Sequence, residues 1–114
     1  TPETEGMFDR EAFRRMQKHA LLINVTRGKI VDEASLLEAL ETGEIAGAGL
    51  DVVPQEPLPK DHPLWKMENV IITPHTAGGS PNRQDRIVGL FCDNLKRLMA
   101  GEPLLSVIDK QKGY

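Results

Sequence analysis

Strand, helix, strand, loop, strand, helix is the element order that the sequence predicts, and it defines an α/β protein on a parallel sheet. Three observations carry that reading. The extended segments are short and apolar, as strands covered on both faces are. Helical periodicity falls between or after them, and each strand runs directly into a polar or glycine-containing turn. Three strands make a poor sheet alone, so the expected architecture is the second half of a doubly wound sheet whose first half lies before Thr1. The turn-like opening Thr1-Pro-Glu-Thr4, with no strand ahead of the first helix, agrees with this.

The elements follow in order. Asp9 is a plausible N-cap for a helix over 11–17, where Phe13 and Met16 stand three apart and bury one face. Ala20-Leu-Leu-Ile-Asn-Val25 reads as a buried central strand, apolar on both faces, stopping at Thr26-Arg27-Gly28. A second helix spans about 33–42, with Asp32 as N-cap, Leu36, Leu37 and Leu40 as its stripe, and Gly43 at the C-cap. Ile45-Ala-Gly-Ala-Gly-Leu50 is an unusually small strand, which suggests that another backbone or a ligand comes close. Pro54, Pro57, Pro59 and Pro63 then exclude regular structure and favour a long stiff loop. Val70-Ile-Ile-Thr73 is a β-branched strand ending at Pro74-His75. Ser80 as cap and Pro81 in the first turn open a long helix over 81–100, whose stripe is Ile87, Leu90, Phe91, Leu95 and Leu98 and which stops at Gly101. The tail from Glu102 has no firm period.

Composition narrows the functional classes. With 114 residues, 14 Lys+Arg against 17 Asp+Glu and a net charge of -3, the chain is one domain or a piece of one, and no basic run prepares it for nucleic acid. Its longest apolar run is about four residues, near 20–23, against the roughly 20 that cross a bilayer, so no membrane contact is expected. A single Cys92 and three scattered histidines give neither an internal disulfide nor zinc-ligand spacing. A reducing, cytoplasmic setting without a metal is the expectation.

Open parallel sheets bind ligands beyond the carboxyl ends of their strands. The residues just past those ends are Arg27, Asp51 and His75, with Glu56 following on the proline-stiffened loop. Taken singly, each has an ordinary reading: a solvated cation, a turn carboxylate, a surface carboxylate and a structural histidine. Together they compose a proton donor, an orienting acid and an anion clamp, because an imidazole beside a carboxylate is favoured in its charged form and a guanidinium grips carboxylates at two points. That set suits reduction of a 2-oxo acid. No side chain supplies a hydride, so a nicotinamide cofactor is implied. No Gly-x-Ser-x-Gly elbow is present, and no Gly-x-Gly-x-x-Gly follows a strand, so the pyrophosphate site lies outside this chain.

Ile23-Asn-Val-Thr-Arg-Gly28 with Val31-Asp-Glu33, Gly47-Ala-Gly-Leu-Asp-Val52, Glu56-Pro-Leu58 and Thr73-Pro-His-Thr-Ala-Gly78 resemble, in order and spacing, the signature segments of the D-2-hydroxyacid dehydrogenases. The stretch 45–59 with His62-Pro-Leu64 is most similar to the glyoxylate/hydroxypyruvate reductase branch. The resemblance implies a Rossmann-type domain. It also implies NAD or NADP as cofactor and a small 2-oxo or 2-hydroxy acid as substrate. Arg27, Glu56 and His75 would be catalytic, with Arg27 on the substrate carboxylate and carbonyl, His75 as acid/base and Glu56 holding it. Val25, Thr26, Arg27 and Asp51 would meet the cofactor, and Arg27, His75, Thr76, Ala77 and Gly78 the substrate.

On the same resemblance, residues 1–100 are the carboxyl-terminal part of the dinucleotide-binding domain. The tail 101–114 would associate with a substrate domain, and the complete protein would be a homodimer. A dinucleotide-sensing corepressor-like module and a non-catalytic truncated fragment are the alternatives.

Overall fold

The computed structural model describes residues 1–112 and resolves them into two units, Pro2–Ala77 and the segment from Gly78 onward. In the first, helix α1 (Arg10–Arg15) precedes strand β1 (Leu21–Asn24), helix α2 (Glu33–Glu41), strand β2 (Gly47–Leu50) and strand β3 (Val70–Ile72). Short 3-10 turns lie at Pro2–Thr4, Gly28–Ile30 and Pro63–Lys66, the last ending a loop that sequence alone reads as irregular. The sheet is parallel, in the order β1-β2-β3, with Leu22 opposite Ala48 and Ala48 opposite Val70. The α/β expectation is met.

Local chemistry explains the boundaries. The Asp9 carboxylate accepts the Ala12 amide at 2.9 Å and that of Asp32 accepts the Ser35 amide at 2.9 Å, satisfying N–H groups that open α1 and α2. Gly43 takes up the left-handed conformation, φ 71°, just beyond α2. Helix α1 packs on α2, where Arg10 pairs with Glu38. Phe13, Ile45 and Leu64 are the largest fully buried side chains, joined by Leu22, Leu36, Leu40, Ala48 and Leu50 in one core. The smallness of β2 has its reason at Gly47, where a Cβ would stand 2.5 Å from the Asn69 carbonyl oxygen. Another backbone does come close there.

Within the described residues β1 borders the three-stranded sheet and its burial alternates, with Leu21 63% and Ile23 64% exposed while Leu22 and Asn24 are buried. The helices of this unit cover one face of the sheet only. One expectation needs correction: Ser80 and Pro81 do not open the long helix, because helix α3 (Arg83–Ala100) begins after them, with Asn82 at the cap position. The Ser80 carbonyl instead accepts the Arg83 amide at 3.0 Å, so Ser80 and Pro81 occupy the first positions of a turn, where serine and a fixed proline φ are both favoured.

In the second unit α3 ends as read. Gly101 is left-handed at φ 70°, the Glu102 amide reaches the Arg97 carbonyl at 2.9 Å, and the Gly101 amide reaches that of Leu98 at 3.2 Å. The Asn94 side chain both donates to and accepts from the Leu105 backbone, at 3.1 and 2.7 Å, pinning the start of the tail to the helix. The apolar stripe from Ile87 to Leu98 is exposed. The end of the tail, residues 113–114, lies outside the described residues.

Candidate active site

Each strand hands a polar residue to the same edge. Asn24 ends β1, is 5% exposed, and organises the turn that follows: its amide oxygen accepts the Thr26 amide at 3.1 Å and hydroxyl at 2.9 Å, and its amide nitrogen donates to the Arg27 carbonyl at 3.1 Å. Sequence reasoning passed over Asn24. Its signal was a single amide side chain closing an otherwise apolar run. Gly28, which the sequence marks only as the end of the strand-closing turn, lets this turn cross the next one, since a Cβ there would meet the Val53 carbonyl carbon at 2.1 Å.

Asp51, just past β2, is 5% exposed and its carboxylate is heavily engaged. Oδ1 accepts the Thr73 hydroxyl at 2.5 Å and the Thr76 amide at 2.8 Å, and Oδ2 accepts the Ala77 amide at 2.8 Å. The Thr73 hydroxyl bond above all, then the Ala77 and Thr76 amides and the nearby His75, hold this carboxyl below its usual range against the opposing effect of burial. Past β3, His75 is itself left-handed, φ 55°, a conformation rare outside glycine and enriched where function constrains the backbone.

Glu56 joins the two loops. Its Oε1 accepts the Val53 amide at 3.2 Å, and its Oε2 lies 2.8 Å from His75 Nδ1. The His75 bond first, and the Val53 amide second, keep the Glu56 carboxyl below its ordinary value. A carboxylate only accepts, so Nδ1 carries a hydrogen and Nε2 is left as the ring nitrogen for exchange with a ligand. The loop is braced as well: Trp65 donates its indole N–H to the Pro59 carbonyl at 2.8 Å, and His62 Nε2 sits 3.3 Å from Glu33 on α2.

The structure therefore brings Asp51, Glu56 and His75 together. Arg27 makes no hydrogen bond or ion pair with them; it is exposed, with Nη1 donating to the Thr26 carbonyl at 2.7 Å. A cleft of about 260 Å³ is lined by Asp51, Glu56, Pro57, Leu58, Trp65 and His75. On the other side of Asp51, Ile23, Val25, Thr76 and Ala77 border an open depression of about 300 Å³. Gly78 is exposed and opens the second unit. No group of residues with metal-ligand geometry occurs among the described residues, and no helix there is long and apolar enough to cross a membrane.

A parallel sheet carrying an imidazole–carboxylate pair beyond its carboxyl edge is the arrangement of an open α/β ligand-binding domain. Residues 1–77 match the family model described as D-isomer specific 2-hydroxyacid dehydrogenase, NAD binding domain, and the chain belongs to that family. Among curated relatives, a glyoxylate reductase of Korarchaeum cryptofilum is 47% identical over 90% of this chain and 31% of its own length. A human glyoxylate reductase/hydroxypyruvate reductase is 40% identical over 93% of this chain and 32% of its own. The chain thus spans about a third of the curated relatives it matches. Among solved structures, a D-isomer specific 2-hydroxyacid dehydrogenase from Xanthobacter autotrophicus in complex with NADPH and MES aligns at TM-score 0.89 and 45% identity, covering 100% of this chain and 46% of that one. An NADPH-dependent glyoxylate/hydroxypyruvate reductase from Sinorhizobium meliloti, with NADP and sulfate, aligns at 0.89 and 36% identity over 100% and 37%.

Proposed function

We propose that this chain is the carboxyl-terminal, catalytic part of an NAD(P)-dependent 2-hydroxyacid dehydrogenase that reduces a small 2-oxo acid such as glyoxylate or hydroxypyruvate. The observation that carries the reading is the 2.8 Å pair of His75 Nδ1 and Glu56 beyond β3, with Nε2 unengaged by the carboxylate. Relatives named glyoxylate reductase and hydroxypyruvate reductase support the substrate class. Neighbours solved with NADPH, NADP and NAD+ support the cofactor.

The residues present suit a nicotinamide. The depression beside Val25 offers an apolar wall, and Asp51 at its rim has three of its roughly four acceptor positions filled, leaving one for an amide donor. Val25, Thr26, Arg27 and Asp51 would hold that end of the cofactor. When bound, the reduced nicotinamide supplies the hydride to the carbonyl carbon. The chain's own share is the proton and the grip. His75, charged and steadied by Glu56, gives its Nε2 proton to the carbonyl oxygen, so the double bond becomes an alcohol as the C–H bond forms. Arg27, with most of its N–H groups unengaged, would grip the substrate carboxylate, and Thr76, Ala77 and Gly78 would complete the substrate's surroundings.

Residues 1–100 form the end of the cofactor domain in this reading, the tail 101–114 associates with the substrate domain, and the enzyme works as a cytoplasmic homodimer. An exposed Cys92 thiol suits a reducing compartment. The test is the complete polypeptide, mixed with NADPH or NADH and glyoxylate or hydroxypyruvate while dinucleotide oxidation is followed at its absorbance band. Turnover that His75→Gln abolishes supports the reading. Dinucleotide binding without turnover overturns it in favour of a sensing module.

A further inference from the structure

The loop that carries His75 has little packing to define it. Every residue from Thr73 to Ala77 is exposed, yet the backbone there holds a left-handed histidine with its ring on Glu56. Hydrogen bonds must supply the order that burial does not. Three of them converge on the buried Asp51: the Thr73 hydroxyl at 2.5 Å, the Thr76 amide at 2.8 Å and the Ala77 amide at 2.8 Å. Thr73 acts twice, because its carbonyl also accepts the His75 amide at 3.0 Å, closing a tight turn around Pro74. Its own amide is tied to the Leu50 carbonyl at 2.9 Å, which roots the turn in β2.

The geometry points to Thr73 as a positioning residue for His75: its hydroxyl, donated to Asp51, orients the carboxylate that clasps the Thr76 and Ala77 amides and so holds the imidazole on Glu56. Oδ1 is shared by the hydroxyl and the Thr76 amide, so the hydroxyl fixes the rotation of the carboxylate that the amide needs. A valine of the same shape fills the space and leaves Oδ1 a single donor. The hydroxyl bond is also the foremost cause of the low Asp51 pKa, so its loss lets that carboxyl protonate at higher pH. The kinetic consequence rests on the proposed reductase activity, whereas the loop order does not.

The experiment compares Thr73→Val and Thr73→Ser in the complete polypeptide. Amide hydrogen exchange is read at Thr76 and Ala77, and in Thr73→Val it should quicken by about fivefold or more, the worth of one lost hydrogen bond. Thr73→Ser, which keeps the hydroxyl, should exchange as the unsubstituted protein does. With reduced dinucleotide and glyoxylate, Thr73→Val should lower kcat by roughly ten- to a hundredfold, as a misplaced acid does, with KM changed by less than about twofold. The acid limb of its pH profile should move to higher pH, and Thr73→Ser should restore both. Unchanged exchange in Thr73→Val overturns the inference whatever the kinetics. Equal damage from serine and valine overturns it too, since the methyl and not the hydroxyl would then matter. If the unsubstituted protein turns over no 2-oxo acid, the proposed function falls while the exchange comparison still decides the role of Thr73.

Discussion

The two halves of the candidate site are built differently. On one side, His75, Glu56 and Asp51 are tied into one network, with 2.8 Å between imidazole and carboxylate and three donors on Asp51. On the other, Arg27 is exposed and bonds only its own neighbour's carbonyl, although Asn24 organises its turn. The difference suits the chemistry proposed for each half. An acid must keep one geometry and one hydrogen-bond partner through the reaction, so its order is built into the chain. An anion clamp has its partner in the substrate, and five N–H donors left mostly unengaged are what a carboxylate can enter.

Breaking the ordered half should cost most. His75→Gln keeps a polar side chain on the loop but cannot carry the proton, and kcat in the complete polypeptide should fall by roughly a thousandfold, within the range for lost general acid catalysis. Steady-state kinetics beside an unchanged circular dichroism spectrum checks it. The open half should respond in a different parameter. Arg27→Lys keeps the charge and loses the fork, so the loss, roughly a hundredfold in kcat/KM, should include a clear rise in KM for the acid. Equal falls in kcat with unchanged KM in both variants would erase the distinction between the halves.

Gly28 is where the halves meet. Its missing Cβ lets the turn bearing Arg27 pass the Val53–Pro54 backbone, from which the chain runs on to Glu56. Gly28→Ala should destabilise the fold by about 1–3 kcal/mol through overpacking, seen as a lower denaturation midpoint. It should also raise KM for the acid while the Thr76 and Ala77 amides keep their protection. Loss of that protection would show that the two loops are a single unit.

Much of this was legible in sequence because it rests on local rules. Asp9 and Asp32 cap their helices, Gly43 and Gly101 are left-handed where a C-cap requires it, and Arg27, Asp51 and His75 all follow strand ends. What was not legible depends on partners far along the chain. The need for Gly28 is set by a loop 25 residues further on, and the engagement of Asp51 by backbone amides that any residue but proline could have supplied. Ser80-Pro81 misled for a different reason: the same pair that caps a helix also opens a turn, and only the position of the Arg83 amide separates them.

Glu56→Gln should have the smallest effect on turnover and the most informative dependence on pH. The glutamine still reaches the imidazole and the Val53 amide, so kcat at neutral pH should fall by only about tenfold, the loss being the charge that steadies protonated His75. For stability the sign follows from the lowered Glu56 pKa, which lies below the usual 4.5 because His75 and the Val53 amide favour the carboxylate. A carboxyl that ionises more readily when folded stabilises fully above its unfolded value, and that contribution fades as pH falls through the folded one. The unsubstituted protein should therefore exceed Glu56→Gln in denaturant midpoint near pH 7. The gap should close only as the pH drops through and below the ordinary carboxylate range. A gap that persists undiminished at acid pH would mean that Glu56 acts through packing, and the imidazole half would lose its electrostatic tie.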